Sequence, residues 1–230
     1  EYIKAVYNLG LNMKPVTIQR FGSGHDQMSG EGYKSAAEIR RMMISGRDIA
    51  AVLPESAYAV YKREEKLGRG PVVPESLESA VISRLRMLPD EAYERLPDAG
   101  EGLHNRVAKA AREECSVDAI LAAGKSKRYA LSRIRRMVMC AALGISADMA
   151  DETPPYARVL AASVRGCELL HNMRQTARKP IIIKPADVKN CGDDCRKLFE
   201  LGSGAHDLYV LGYAARGERR GGSDWRTSPK

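Results

Sequence analysis

The chain has 230 residues, of which 44% are hydrophobic and 29% charged, a composition typical of a folded globular protein. No run approaches 18 consecutive apolar residues, and no apolar signal-peptide core opens the chain, so the sequence predicts no membrane partner and a cytoplasmic location. The five cysteines are odd in number and widely scattered, which argues against a disulfide framework.

Residues 1–53 combine helical and strand patterns. The opening residues carry apolar side chains at helical spacing and look like the later part of a helix, so we expect the chain to be a fragment of a longer protein. Residues 15–21 alternate between apolar and polar, which predicts a short strand, and a Gly-rich loop follows. The sequence therefore predicts a small α/β region here.

A candidate phosphate site follows the predicted strand. Ser35 and Glu38 have the spacing of a capping box at the start of a helix. Helix N-terminal N–H groups favour anions, and the guanidinium groups of Arg20 and Arg40 would add charge-assisted hydrogen bonds. A plain capping box beside two surface arginines explains the same residues.

From Pro54 onward the pattern is helical almost throughout, with short turns containing Pro or Gly. The predicted helices are 55–67, 75–87, 89–95, 101–114, 116–123, 128–144, 154–174, 191–201 and 205–213. Residues 179–183 predict one short buried strand, and residues 214–230 predict a disordered basic tail. The expected fold class is mainly α: a helical domain over 54–213, preceded by the small α/β region over 1–53.

The basic residues are unevenly distributed along the chain. The formal net charge is +8, and no acidic residue lies between Asp118 and Asp148. The basic residues in that window are Lys125, Lys127, Arg128, Arg133, Arg135 and Arg136. A basic run of this kind indicates a polyanionic partner, although a solvated helix face gives the same pattern.

Most of these basic residues lie on one predicted helix. Its apolar side chains share a face, formed by Leu131, Ile134, Val138 and Ala141. We expect the guanidinium groups of the other face to point to solvent and to bind phosphates. The alternative is that they pair with acidic residues elsewhere in the domain. Tyr129 would either stack on a base or pack at the helix start.

The sequence predicts no metal site. Three residues separate Cys191 from Cys195, His206 is the nearest further candidate ligand, and no fourth ligand is evident. Two free thiols are therefore favoured over a zinc site. No Ser-His-Asp or Cys-His set is evident for nucleophilic catalysis.

Several segments, taken together, resemble one family. These segments are EYIKAV (1–6), PVTIQRFGSGHD (15–26), KSAAEIR (34–40), EGLHNR (101–106), KRYALSRIRRM (127–137), YARVL (156–160), KPIIIKPAD (179–187) and LFELGSGAHDLYVLGY (198–213). In their order and spacing they resemble the bacterial tRNA(Met) cytidine acetate ligases, over nearly the whole chain to about Tyr213.

The resemblance implies a nucleotidyltransferase-like, Rossmann-type domain followed by a helical tRNA-binding domain, with residues 1–53 as the C-terminal part of the first. It implies a ligase that uses ATP to activate acetate, or another small carboxylate, as acetyl-adenylate. The acetyl group would then pass to N4 of the wobble cytidine of elongator tRNA(Met). Mg²⁺ is expected to accompany ATP.

The resemblance also implies site residues. ATP would contact Arg20 and the backbone of Phe21, and the phosphate-binding helix would start at Ser35 with Arg40 nearby. With tRNA as the partner, the residues expected to bind it are Lys127, Arg128, Arg133, Arg135 and Arg136.

The chain departs from the family pattern. It contains no H-x-G-H sequence, Ala37 stands where the family has Thr, and the GSGHD loop lacks the family's Tyr. In the family, the two histidines of the H-x-G-H sequence steady the triphosphate during adenylation. We therefore expect this chain alone to be inactive, and we expect the missing half of the domain to precede Glu1. Two alternatives stay open: a helical tRNA-binding module without catalysis of its own, or a related nucleotidyltransferase that acts on a small metabolite.

Overall fold

The structure is a computed structural model that describes residues 2–19, 33–151 and 153–226. The described residues are mostly helical and include one two-stranded sheet. The helices are α1 (Tyr2–Asn8), α2 (Ala36–Ile44), α3 (Glu55–Lys66), α4 (Pro74–Met87), α5 (Asp90–Glu94), α6 (Leu103–Glu113), α7 (Val117–Gly124), α8 (Leu131–Leu143), α9 (Ala147–Asp151), α10 (Val164–Thr176) and α11 (Asp193–Val210). The strands are β1 (Ala157–Arg158) and β2 (Ile181–Ile182), and short 3₁₀ turns span Ala50–Val52, Pro185–Asn190 and Arg216–Glu218.

The chain divides into two compact units, Glu1–Arg63 and Glu64–Lys230. The division falls after residue 63, whereas the sequence predicted a boundary after residue 53, so most of α3 belongs to the first unit. Among the described helices, none combines the length and the apolar composition needed to cross a lipid bilayer.

The predicted strand over residues 15–21 is not seen in the described part of the first unit. Residues 15–19 form no strand, and the side chains of Val16 and Ile18 are exposed. A strand needs a neighbour to pair its backbone N–H and C=O groups, and the described residues of this unit contain no other strand. The mainly helical class is confirmed, whereas the α/β character of residues 1–53 stays a prediction.

Helix α2 begins where the capping pattern predicts. The hydroxyl of Ser35 accepts a hydrogen bond from the N–H of Glu38 at 3.2 Å, which satisfies one of the donors that a helix start leaves free. The carboxylate of Glu38 accepts from Nζ of Lys34 at 2.7 Å. The helix ends at Ile44, and Gly46 follows with a φ of 67° that favours glycine.

The core of the second unit is built from α4 to α8. Its fully buried large side chains include Leu85, Tyr93, Leu103, Val107, Ile120, Ile134, Met137 and Val138. Burying a large apolar side chain contributes about 1.5–3 kcal/mol, so this cluster holds the helices together. The O–H of Tyr93 donates to the carbonyl of Leu85 at 2.8 Å, which leaves the buried phenol paired.

Most predicted helices of this unit are confirmed, but the helix predicted over 154–174 is wrong in its first half. That half contains β1, and α10 begins only at Val164, after Ser163 as N-cap. Strand β1 pairs in parallel with β2, with Ala157 opposite Ile181. The backbone of β1 forms hydrogen bonds with β2, a segment further along the chain. A local helical pattern cannot reveal such a distant partner. The strand predicted over 179–183 is present as β2.

The two helices predicted over 191–201 and 205–213 form the single helix α11. Gly202 and Gly204 lie inside it, although a glycine in a helix costs about 1 kcal/mol relative to alanine. Helix α11 packs against α4 and α8, and this packing offsets the poor local propensity.

Residues 214–226, for which the sequence predicts a disordered tail, make defined contacts with the second unit. The ring of Trp225 stacks on Phe199 with centroids 4.7 Å apart, and the guanidinium of Arg158 lies 3.8 Å from the Trp225 centroid. Arg158 also donates to both carboxylate oxygens of Asp224, at 2.8 and 3.0 Å. These contacts offset the entropy lost on ordering a Gly-rich segment. Residues 227–230 lie outside the described part of the chain.

Candidate nucleic-acid interface

Helix α8 has one buried face and one exposed face, as its sequence period predicts. The buried face consists of Ile134, Met137, Val138 and Ala141. The exposed stripe consists of Ser132, Arg135, Arg136 and Met139. Burial of the apolar face in the core therefore fixes Arg135 and Arg136 at the surface.

Two carboxylates reach this surface from the loop between α5 and α6. Asp98 and Glu101 both have a φ of 64°, and Gly102 has a φ of 81° before α6 begins at Leu103. Left-handed backbone is uncommon for residues other than glycine, so this is a tight and unusual turn. The turn brings both carboxylates to the basic end of α8.

Arg133 holds this loop against α8. Its guanidinium donates to the carbonyl of Asp98 at 3.0 and 3.2 Å and to the carbonyl of Gly100 at 3.2 Å. It also donates to the carboxylate of Glu101 at 3.2 Å, and its side chain is only 25% exposed. The expectation that Arg133 points to solvent is wrong, because its planar fork of donors is engaged with the loop.

Arg128 and Arg136 pair with the same two carboxylates. Nε of Arg136 lies 2.5 Å from Oδ2 of Asp98, and Nε of Arg128 lies 3.6 Å from Oε2 of Glu101. The hydrogen bond from Arg133, and then the charge of Arg128, lower the pKa of Glu101, while the hydrogen bond to Asp98 raises the pKa of Arg136. The side chains of Arg128 and Arg136 remain 64% and 58% exposed, so both stay accessible to an anion.

Tyr129 packs at the helix start. Its side chain is buried, and its O–H donates to the carbonyl of Glu101. The guanidinium groups of Arg128 and Arg133 lie 5.8 and 5.5 Å from its ring centroid. Of the two interpretations of Tyr129, the structure supports packing and not stacking on a base.

Three basic side chains of the window have no partner among the described residues: Lys125, Lys127 and Arg135. All three are exposed. Lys125 and Lys127 precede α8, and Arg135 lies in its second turn. Ala130 provides no side-chain cap at this end, where the helix dipole adds positive potential. Like charges concentrated at this end of a helix repel one another, and a bound anion relieves that repulsion.

The structure adds Arg106 to this surface, a residue that the sequence analysis missed. Its guanidinium donates to the carbonyl of Ala123 at 2.7 Å and to that of Lys125 at 3.4 Å. Arg106 lies on α6, outside the basic window, so no spacing in the sequence signals it. Asp98 and Glu101 were missed for the same reason, and the Gly-containing segment around them indicates only a turn.

The predicted ATP-binding residues are described only in part. Arg20 and Phe21 lie outside the described residues. Ser35 is buried and acts as the N-cap of α2, and Arg40 is exposed without a partner in the described chain. An ordinary helix cap accounts for the geometry at Ser35, so the phosphate site stays a prediction.

Cys191 and Cys195 lie in a small buried cluster with Ile182 and Val188. Burial, together with the neighbouring Cys191 thiol, raises the pKa of Cys195 to about 11. Both cysteines are free thiols. Within the described ranges, no group of three or more His, Cys, Asp or Glu side chains could hold a metal ion.

A comparison with known proteins identifies the family to which this chain belongs. A family model described as HIGH Nucleotidyl Transferase matches residues 1–224. The chain therefore belongs to the HIGH nucleotidyl transferase family.

The names of curated relatives are more specific than the description of the family model. The chain is 29% identical to the tRNA(Met) cytidine acetate ligase of Syntrophomonas wolfei, covering 100% of this chain and 58% of the relative. It is 30% identical to the protein of the same name from Thermosipho africanus, covering 98% and 58%. The chain thus spans less than two thirds of the length of these relatives.

Solved structures agree with these relatives. The crystal structure of Thermotoga maritima TmcAL in its apo form matches with a TM-score of 0.86 and 27% identity, over 99% of this chain and 58% of that one. TmcAL bound with alpha-thio ATP matches with a TM-score of 0.83 and 26% identity, over 99% and 57%. The resemblance predicted from the sequence segments is confirmed.

Replacing Arg133 with Ala should lower the free energy of unfolding by about 1–3 kcal/mol, because the carbonyls of Asp98 and Gly100 lose their donors. The control Arg135→Ala should change it by less than about 0.5 kcal/mol, since Arg135 is exposed and has no partner in the described chain. Urea unfolding followed by circular dichroism measures both values. Equal losses in the two variants would contradict the role of Arg133 in holding the loop.

Proposed function

We propose that this chain is the tRNA-binding part of an ATP-dependent ligase that acetylates N4 of the wobble cytidine of elongator tRNA(Met). The observation that carries the proposal is the exposed basic surface formed by α8 and the segment before it, where Lys127 and Arg135 have no partner among the described residues. The relatives are named tRNA(Met) cytidine acetate ligase, which gives the class of RNA.

The charges of the surface support a polyanionic ligand. Asp98 and Glu101 are the carboxylates that pair with its arginines, and they are already engaged by Arg133, Arg136 and Arg128. The basic side chains exceed these carboxylates in number, so the surface keeps a positive charge. Arginine suits phosphate, because its planar fork donates two hydrogen bonds at once.

The shape of the surface favours RNA over a small metabolite. Its basic side chains come from α6, from the segment before α8 and from α8 itself, and they are exposed. Small-molecule sites are enclosed cavities with a few convergent polar groups, which this exposed surface is not. The alternative of a nucleotidyltransferase acting on a small metabolite leaves the surface unexplained.

The proposed reaction has two steps. Acetate attacks the α-phosphate of ATP, which gives acetyl-adenylate and releases pyrophosphate, with Mg²⁺ accompanying the nucleotide. The N4 amine of cytidine then takes the acetyl group and releases AMP. We propose ATP contacts at Arg20, the backbone of Phe21, Ser35 and Arg40, and the TmcAL structure bound with alpha-thio ATP supports an ATP site in this family.

A helical tRNA-binding module without catalysis of its own is the second candidate. It is favoured by one observation, the absence of an H-x-G-H sequence from the 230 residues. Under either candidate the basic surface has the same role, and we propose that the chain alone does not catalyse the reaction.

Removing Lys127 and Arg135 together should weaken tRNA(Met) binding, because two phosphate contacts are lost. The expected loss is about 2- to 10-fold for each contact, and the slope of log affinity against log salt should fall by about two. Filter binding at several salt concentrations measures both quantities.

The control for that experiment is Lys197→Ala, which removes one exposed positive charge from α11. It should leave the affinity and the salt slope close to those of the wild type. A Lys127→Ala/Arg135→Ala variant that binds like this control would contradict the proposed interface.

The purified chain should bind ATP weakly or not at all, with a dissociation constant above the micromolar range, because it contains no H-x-G-H loop to hold the triphosphate. Isothermal titration with ATP and Mg²⁺ measures the affinity. Micromolar binding would mean that the 230 residues already contain a complete nucleotide site.

A further inference from the structure

The last described residues form an anchored segment, which we call the arm and define as residues 214–226. Contacts anchor it at its start, its middle and its end: Ala215 N–H to the carbonyl of Gly68 at 3.1 Å, Gly222 N–H to the carboxylate of Asp207 at 2.7 Å, and Trp225 to Phe199 at 4.7 Å between ring centroids. The arm therefore has a defined path over the second unit.

The first anchor depends on a glycine. Gly68 has a φ of 66°, and a Cβ atom at this position would lie 2.7 Å from the Cβ of Ala215. A side chain here is excluded both by the left-handed backbone and by the close approach of the arm. The glycine at position 68 therefore leaves the space that Ala215 of the arm occupies.

The acidic side chains of the arm pair with arginines outside it. Oε2 of Glu218 lies 3.6 Å from Nη1 of Arg69, and Asp224 forms its ion pair with Arg158. The two acids are therefore used to attach the arm, and they do not neutralise the arm's own arginines.

The arginines of the arm are left accessible. Arg219 donates to the carbonyl of Tyr213 at 2.6 Å. Arg216, Arg220 and Arg226 are exposed, and their side chains have no partner within the described part of the chain. An anchored segment of 13 residues thus presents three unpaired guanidinium groups.

We infer that the arm is a second RNA-contacting surface, which binds the phosphate backbone and does not read bases. The inference rests on the proposed function and adds to it a surface separate in sequence from α8. Guanidinium groups on a pre-ordered backbone bind phosphate without the entropy cost of ordering a free tail.

The aromatic ring of the arm is already engaged by neighbouring side chains. Trp225 is its one aromatic residue and the only tryptophan of the chain. Phe199 stacks on the indole, and the guanidinium of Arg158 lies 3.8 Å from the same ring centroid. The indole ring is therefore engaged within the fold by a stacked ring and a cation.

The test compares the full 230-residue chain with its Arg216→Ala/Arg220→Ala variant by filter binding across a salt series. Two probes are used, a tRNA(Met) transcript and a transcript of a tRNA with a different anticodon. The variant should bind both RNAs more weakly by the same factor, about 2- to 10-fold for each lost contact, and the salt slope should fall by about two. Lys109→Ala, an exposed lysine on α6, is the control that removes a charge elsewhere.

A second variant, Gly68→Ala, tests whether the position of the arm matters. It removes no charge, but it should displace the arm and weaken binding of both RNAs. Fluorescence of Trp225 reports docking: acrylamide should quench it more strongly in Gly68→Ala and equally in the wild type and Arg216→Ala/Arg220→Ala.

The outcomes separate the inference from the proposed function. Unchanged binding by the Arg216→Ala/Arg220→Ala variant, beside weakened binding by Lys127→Ala/Arg135→Ala, would overturn the arm alone. Loss of affinity for only one of the two RNAs would contradict backbone binding. A wild-type chain that binds neither RNA at low salt would overturn both proposals.

Discussion

The hydrogen bonds from Arg133 to the 98–101 loop are the interaction on which the basic surface depends. They join a helix and a loop 33 to 35 residues apart in sequence, and they satisfy carbonyls of an unusual left-handed turn. The opposite face of α8 is buried in the core, so the helix cannot rotate away from the loop. The loop in turn supplies the carboxylates that orient Arg128 and Arg136.

The start of α8 and the segment before it therefore use their cations in two ways. Arg133 is largely enclosed and stabilises the fold, whereas Lys127 and Arg135 are exposed, lack partners among the described residues and are left for a ligand. The arm repeats this division, since its acids attach it to Arg69 and Arg158 while three of its arginines face outward. In both places the ion pairs fix the geometry of a surface and leave it positively charged.

Structural features that depend on the spacing of neighbouring residues could be predicted from the sequence. Features that depend on contacts between distant segments could not. The two faces of α8 and the cap at Ser35 follow from residue spacing, and both are present. The pairing of Arg133 with the 98–101 loop, the β1–β2 strand pair and the docking of Trp225 join segments far apart in the chain, which no local pattern encodes. The resemblance to a known family could be recognised from the sequence because it depends on the order and spacing of several segments and not on any single contact. Arg20 and Phe21 lie outside the described residues, so their role in ATP binding rests on that resemblance.

The central claim is that RNA binds the start of α8, and hydrogen–deuterium exchange of the chain with and without tRNA tests it most directly. The first N–H groups of a helix have no partner within the helix, and those of α8 have no side-chain cap, so they should exchange quickly in the free chain. The account predicts that tRNA slows exchange over residues 125–132 and leaves the amides of α10 unchanged. Slowing confined to other segments, with residues 125–132 unaffected, would contradict it.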